Sequence, residues 1–144
     1  MFSKGCSYVI SSVLLMAQKS KEGEKVLLKE ILKNRDISYL MTAKLMQDLV
    51  SNDILVSKKG KGGGYSLNKN SKDINLMDIV NVVDNLTEAK ISNKCFMGIN
   101  ECSCQKPCVF HTVYKDFKDG LINVLTNKSI KDLVEDINQK KAFV

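Results

Sequence analysis

Tryptophan is absent from this 144-residue chain; proline occurs once, at Pro107, and histidine once, at His111. With one histidine, no Ser-His-Asp set and no glycine-rich nucleotide fingerprint, the chain offers no substrate site and reads as a non-enzyme. Long apolar runs are also missing. The longest, Tyr8 to Ala17, is broken by Ser11 and Ser12 and falls short of the roughly 20 residues a membrane span needs. The first residues, Met1-Phe-Ser-Lys-Gly-Cys6, lack the layout of a cleaved signal peptide. The expectation is a cytoplasmic protein without a membrane partner. Its thiols then meet a reducing compartment, where clustered cysteines bind metals or do redox work more often than they form structural disulfides.

Acidic residues are scarce in one half only. Residues 1–70 carry twelve Lys/Arg against six Asp/Glu, and residues 71–144 carry ten against ten. The whole net charge of +6 therefore sits in the N-terminal half. A basic half joined to a neutral half suits an anionic partner, most simply nucleic acid.

Periodicity places a first helix over Ser7 to Ser20 and a second over Lys25 to Lys33. Ser38 is a good N-cap for a third helix reaching Ser51, because its hydroxyl can accept from an orphan backbone N–H. Met41, Leu45, Met46 and Leu49 are expected to face inward. Two helices joined by so short a turn fit a helix-turn-helix. Ile54 to Ser57 and Tyr65 to Leu67 then read as two strands around a basic glycine tip, Lys58 to Gly64. That order is a winged helix. No Gly-Lys-Ser/Thr follows the glycines and no helix starts there, which excludes a phosphate-cradling P-loop. A fourth helix is expected over Asn75 to Leu86. A long one follows over Val109 to Leu125, striped by Val113, Phe117, Leu121, Val124 and Leu125, and a last one is capped by Ser129 with Asp132 at the third position. The long helix is too apolar on one face to stand free. It is assigned to a homodimer, since two-fold helix-turn-helix proteins read palindromic half-sites in double-stranded DNA.

The third helix of such a fold enters the major groove. The outward candidates are Ser38, Tyr39, Leu40, Thr42, Ala43, Lys44 and Gln47. Gln47 suits an adenine edge, Thr42 a thymine methyl, and Lys44 a guanine or phosphate. Lys58, Lys59 and Lys61 in the wing suit phosphates or the minor groove, contacts that set affinity and salt dependence more than sequence preference.

Four of the five cysteines and the only histidine fall between Cys95 and His111, spaced Cys95-x6-Cys102-x5-Cys108-x2-His111, with Cys104 extra. Three thiolates and one further ligand suit a 2Fe–2S or 4Fe–4S cluster, or a tetrahedral zinc. The gaps are wider than zinc knuckles prefer. A cluster-free thiol switch is the other reading, since Cys102 and Cys104 are close and five cysteines are an odd set. Cys6 reads as a buried small hydrophobe.

Nearly the whole chain resembles the family of winged-helix iron–sulfur transcriptional regulators that contains the cluster-assembly repressor IscR and the nitric-oxide repressor NsrR. The resemblance is carried by Ile37-Ser38, Gly60-Lys-Gly-Gly-Gly-Tyr65, Ile74-Asn-Leu-Met-Asp-Ile79 and Cys95…Cys102…Cys108-Val-Phe-His111 in family order. It implies a homodimeric DNA-binding repressor or activator that holds an iron–sulfur cluster through Cys95, Cys102 and Cys108. In the cluster-assembly type the fourth ligand is a histidine matching His111. In the nitric-oxide type it is an acidic residue where this chain has Ser7, a poor ligand. Three departures stand out: Lys59-Gly60-Lys61 replaces the Arg-Gly-Pro common in the wing, Ala43 replaces a base-reading glutamate, and Cys104 is additional. A different operator is therefore expected.

The expected fold class is mainly α: a winged helix-turn-helix DNA-binding domain with a two-stranded β wing and a long C-terminal dimerisation helix. The expected organisation is 1–86 for the DNA reader, 87–112 for the cysteine-rich cluster-binding loop, and 113–144 for the dimerisation helix and a short last helix. Redox state, nitric oxide or iron–sulfur status is the expected signal.

Overall fold

Cys6, Val9, Val13 and Met16 recur at steps of three or four residues and are fully buried, so one face of the first helix, α1 (Lys4–Lys19), becomes the hub of the molecule. The computed structural model describes residues 2–19, 23–98 and 105–140. Ser3 starts α1 by accepting from the Cys6 backbone N–H at 3.0 Å. Its own N–H and hydroxyl reach the Asp84 carboxylate, at 2.9 and 2.5 Å.

The second helix, α2 (Leu28–Ile31), is a single turn, shorter than the sequence pattern predicts. The cause is tertiary. Val26 exchanges two backbone hydrogen bonds of 2.9 Å with Tyr65, so its segment is held as strand. Asn34 then turns left-handed at φ 63°.

The third helix, α3 (Tyr39–Ser51), starts where expected, with the Ser38 hydroxyl accepting from the Met41 N–H. Its inner stripe is Thr42, Met46 and Leu49. Met41, expected inward, is exposed, and Thr42, expected outward, is fully buried. Thr42 tolerates burial because its hydroxyl donates to the Ser38 carbonyl at 2.8 Å.

Strands β1 (Leu55–Lys58) and β2 (Gly64–Leu67) pair antiparallel, Leu55 opposite Leu67 and Lys58 opposite Gly64. Gly64, at φ +128°, lies so close to Val26 that a Cβ there would stand 2.5 Å from the Val26 carbonyl oxygen. Only glycine combines that backbone angle with that approach.

A 3₁₀ turn (Ser71–Asp73) leads to α4 (Leu76–Asp84), which opens on a capping box of Asn75 and Asp78 and ends at left-handed Asn85. A short helix, α5 (Glu88–Asn93), follows inside the segment expected to be loop. Only Ile91 of its six residues is buried, which leaves no periodicity to read. The long helix, α6 (His111–Asn127), and the last, α7 (Ile130–Lys140), complete the order.

Two apolar clusters hold these elements. The larger joins α1, α2, α3, β1 and α7, with Ile130 fully buried in it and Leu133, Val134 and Ile137 packed on it. The last helix thus rests on the DNA-reading body, anchored by the Ile130 N–H donating to the Ile74 carbonyl at 2.8 Å. The smaller gathers Cys6, Met77, Val80, Ile91 and Leu125, joining α1, α4, α5 and α6.

Candidate DNA interface and cysteine site

The outer face of α3 presents Tyr39, Leu40, Lys44 and Gln47 to solvent, Leu40 at 82% exposure. Ser38 is exposed but its hydroxyl is engaged as the cap. Thr42 leaves the candidate set: a side chain with no exposed surface cannot meet a base edge. Its neighbour Ala43 is half-buried against the core. Gln47 is tied to the wing, its Nε2 donating to the Tyr65 hydroxyl at 2.9 Å. Tyr65 in turn is bonded through its backbone to Val26, so one residue links α3, the wing and the segment before α2. This pairing across eighteen residues has no signal in the local sequence.

The wing lysines are all exposed. Lys58 ends β1, and Lys59 and Lys61 stand in the turn beyond it, where Gly60 and Gly62 take positive φ. Among the described residues these lysines make no ion pair. Their charge is therefore directed to solvent or to a partner from outside.

Two arms of the cysteine segment come together. Cys95 follows α5 by two residues; Cys108 stands three residues before α6, and His111 is that helix's first residue. Phe96 packs on Phe110, ring centroids 4.8 Å apart, and meets Tyr114 edge-on at 5.4 Å. The residue after Cys95 thus touches the residue just before His111. Cys95, Cys108 and His111 are all half-buried. Phe110, the N-cap of α6, has no side-chain group to cap it, and the N-terminus of a helix favours anions such as thiolates. Cys102 and Cys104 lie outside the described residues. Among the described residues no three His, Cys, Asp or Glu side chains gather as a metal site. The side chains with the chemistry to bind iron or zinc here are Cys95, Cys108 and His111.

Lys118 is the one charged residue found buried among those described, at 3% exposure on α6. Its Nζ donates to the carbonyls of Ser92 at 2.5 Å and Lys94 at 3.0 Å, and stands 5.0 Å from the centre of the Tyr114 ring. Sequence reasoning missed it, although Tyr114 and Lys118 stand one helical turn apart, where side chains meet.

Cys6, the fifth cysteine, is fully buried at the junction of α1 and α4. Burial pushes its thiol up to about 12, helped by the charge of Asp84 and a hydrogen bond to it. It is a packing residue, as its place in the sequence suggested.

Residues 2–136 match the Rrf2 family, described as iron-dependent transcriptional regulators. The chain belongs to the Rrf2 family. It is 31% identical to the HTH-type transcriptional regulator IscR of Pectobacterium atrosepticum over 134 residues, 93% of this chain and 78% of the relative. It is 30% identical to IscR of Escherichia coli O1:K1 / APEC over 93% of this chain and 79% of that one. Among solved structures it is similar to CymR, the global cysteine regulator of B. subtilis, with a TM-score of 0.75 and 21% identity over 94% of this chain and 96% of that one. It is also similar to IscR of T. potens, with a TM-score of 0.71 and 23% identity over 100% of this chain and 93% of that one. At such identities the structures establish the fold, a mainly helical winged helix with a two-stranded wing.

As an Rrf2 member the chain is a DNA-binding transcriptional regulator and not an enzyme. Membership gives the exposed face of α3 and the lysine wing their context, since both lie in the basic N-terminal half of the chain. Among the described residues no helix is long and apolar enough to cross a membrane.

Proposed function

We propose that this Rrf2 protein is a cytoplasmic homodimeric repressor that reads a palindromic operator and senses redox state, nitric oxide or iron–sulfur supply at Cys95, Cys102, Cys108 and His111. The observation that carries the sensing half is the contact of Phe96 with Phe110, which brings the Cys95 arm to the Cys108–His111 arm between reader and long helix. Three thiols and one imidazole fit an iron–sulfur cluster, 2Fe–2S or 4Fe–4S, and the N-terminus of α6 adds positive potential beside them. When bound, such a cluster supplies ligation that oxygen, nitric oxide or iron shortage removes.

The chain's own residues would carry the consequence. α6 packs on α4 and α5, and α4 packs on α1 and α3. How tightly the two arms sit against α6 therefore bears on the orientation of α3. Tyr39, Leu40, Lys44 and Gln47 would face the major groove, Ser38 would fix the helix start, and Lys58, Lys59 and Lys61 would meet phosphates.

The dimer rests on one face of α6. Phe110, Val113, Phe117 and Val124 are exposed along it, Val113 at 74%. They follow steps of three and four once Gly120 is included, the spacing of a helix seam. Gly120 has open space where a Cβ would stand, so it lets a partner backbone approach closely.

Purification without oxygen, with a visible spectrum and iron and sulfide content, tests the cluster; operator titrations of holo and apo protein test the sensing. Charge-transfer bands with matched iron and sulfide, and unequal affinities, are expected. A colourless protein that resists reconstitution, with dithiothreitol-sensitive DNA binding, replaces the cluster by a thiol switch. Equal affinity of both forms for every operator ends the sensing idea.

A further inference from the structure

We propose that Lys118 is a positioning residue for Cys95: from inside the dimerisation helix it clamps the arm that carries this thiol, so that the arm is pre-set before any ligand binds. The inference rests on the reading of Cys95 as a sensing thiol.

A buried ammonium is costly unless its donors are met. A lysine has three N–H donors and no acceptor. Here two go to the carbonyls of Ser92 and Lys94, and the Tyr114 ring offers its negative face beside the cation. Those carbonyls belong to the last turn and the cap of α5, where unsatisfied C=O groups and the negative end of the helix dipole favour a cation. α5 has six residues, too few to hold itself together in water. Its end is therefore kept in place by what it touches: Ile91 is buried in the second cluster, and Lys118 holds the Ser92 and Lys94 carbonyls.

The clamp ends one residue short of the thiol. Lys94, whose carbonyl is held, directly precedes Cys95, and Phe96, which follows it, is held by Phe110 and Tyr114. Cys95 is thus fixed from both sides by α6, the helix whose first residue is His111. Lys118 and Tyr114 lie on adjoining turns of that helix, so one rigid rod carries the clamp, the ring contact and His111. Pre-setting of this kind reduces what ligand binding must spend on ordering a loop.

The test is site-resolved alkylation of the reduced, metal-free full-length protein by iodoacetamide, read by mass spectrometry. In Lys118→Met, which removes both charge-assisted hydrogen bonds, the Cys95 rate should rise at least about tenfold, read as a local opening equilibrium. Cys6, fully buried in the second cluster, should not change. Lys118→Arg, which keeps charge and donors, should return Cys95 toward the wild-type rate. An unchanged Cys95 rate in folded Lys118→Met protein overturns the proposal. So does a joint rise at Cys95 and Cys6, which would make Lys118 a general element of the fold. Iron and sulfide content is a separate readout. A wild-type protein that never binds iron but shows the Cys95 response loses the cluster and keeps the clamp. A protein that loads a cluster while Cys95 ignores Lys118 does the reverse.

Discussion

Replacing Lys58, Lys59 and Lys61 together with alanine removes the wing's charge without touching its fold, because all three are exposed and make no ion pair among the described residues. Each lysine that neutralises a phosphate contributes about 0.9 to the slope of log K against log salt, and about eightfold in affinity near 0.1 M. The geometry limits how many act at once. Lys58 closes the ladder opposite Gly64, while Lys59 and Lys61 stand in the turn beyond it, so the three do not share one strand face. Between two and three contacts per protomer are therefore expected, about four to six for a dimer on its operator, which corresponds to a slope shallower by ~3.6–5.4 and an affinity loss of at least ~1,000-fold near 0.1 M salt. The assay is fluorescence anisotropy of a labelled operator and of a scrambled duplex over about 50–300 mM salt, a range that makes the slope measurable. Both duplexes should lose affinity by the same factor, since phosphates carry no sequence. An unchanged slope would refute the wing as a phosphate clamp, and a loss confined to the operator would mean that it reads bases instead.

Phe117→Glu places a charge in the proposed α6 seam and should convert the dimer to a monomer in sedimentation, with operator affinity falling to that of one half-site; a dimer that persists sinks the seam. Gly64→Ala forces a side chain into positive φ against Val26 and should cost about 3 kcal/mol, or roughly 10 °C in Tm by calorimetry; a neutral result would mean the wing base is not built as described. Cys6 holds its proton up to about 12 against an ordinary 9.0, because of burial first and Asp84 second. The folded state thus keeps a proton that the unfolded chain gives up first, so this stability is complete below pH 9 and is lost as pH rises toward 12. Urea midpoints between pH 9 and 11 should fall less in Cys6→Ala than in wild type; parallel falls would refute the burial argument.

Much of the reader was legible because its signals are local. Ser38 and the Ser129–Asp132 pair start helices by bonding within three residues, and such motifs read directly from sequence. The wing followed from glycines between two apolar runs. The misreadings have one cause. Val26 was expected in a helix and is instead paired with Tyr65, and Thr42 and Met41 exchanged places because the buried face of α3 is chosen by what packs on it. The α5 helix showed no pattern because a single residue of it is buried.

By itself the sequence determined the order of elements apart from α5, the basic half, the wing and the spacing of Cys95, Cys102, Cys108 and His111, since caps, periodicity and turns act over a few residues. Only the tertiary structure decided which face of α3 is free, that Tyr65 ties Gln47 to the wing, and that Phe96, Phe110, Tyr114 and Lys118 close the cysteine segment onto α6. Those partners stand between fourteen and twenty-six residues apart across segments that local patterning treats separately. Their meeting depends on how whole helices bury their apolar faces, a choice settled by the shared core and not by any neighbouring residue.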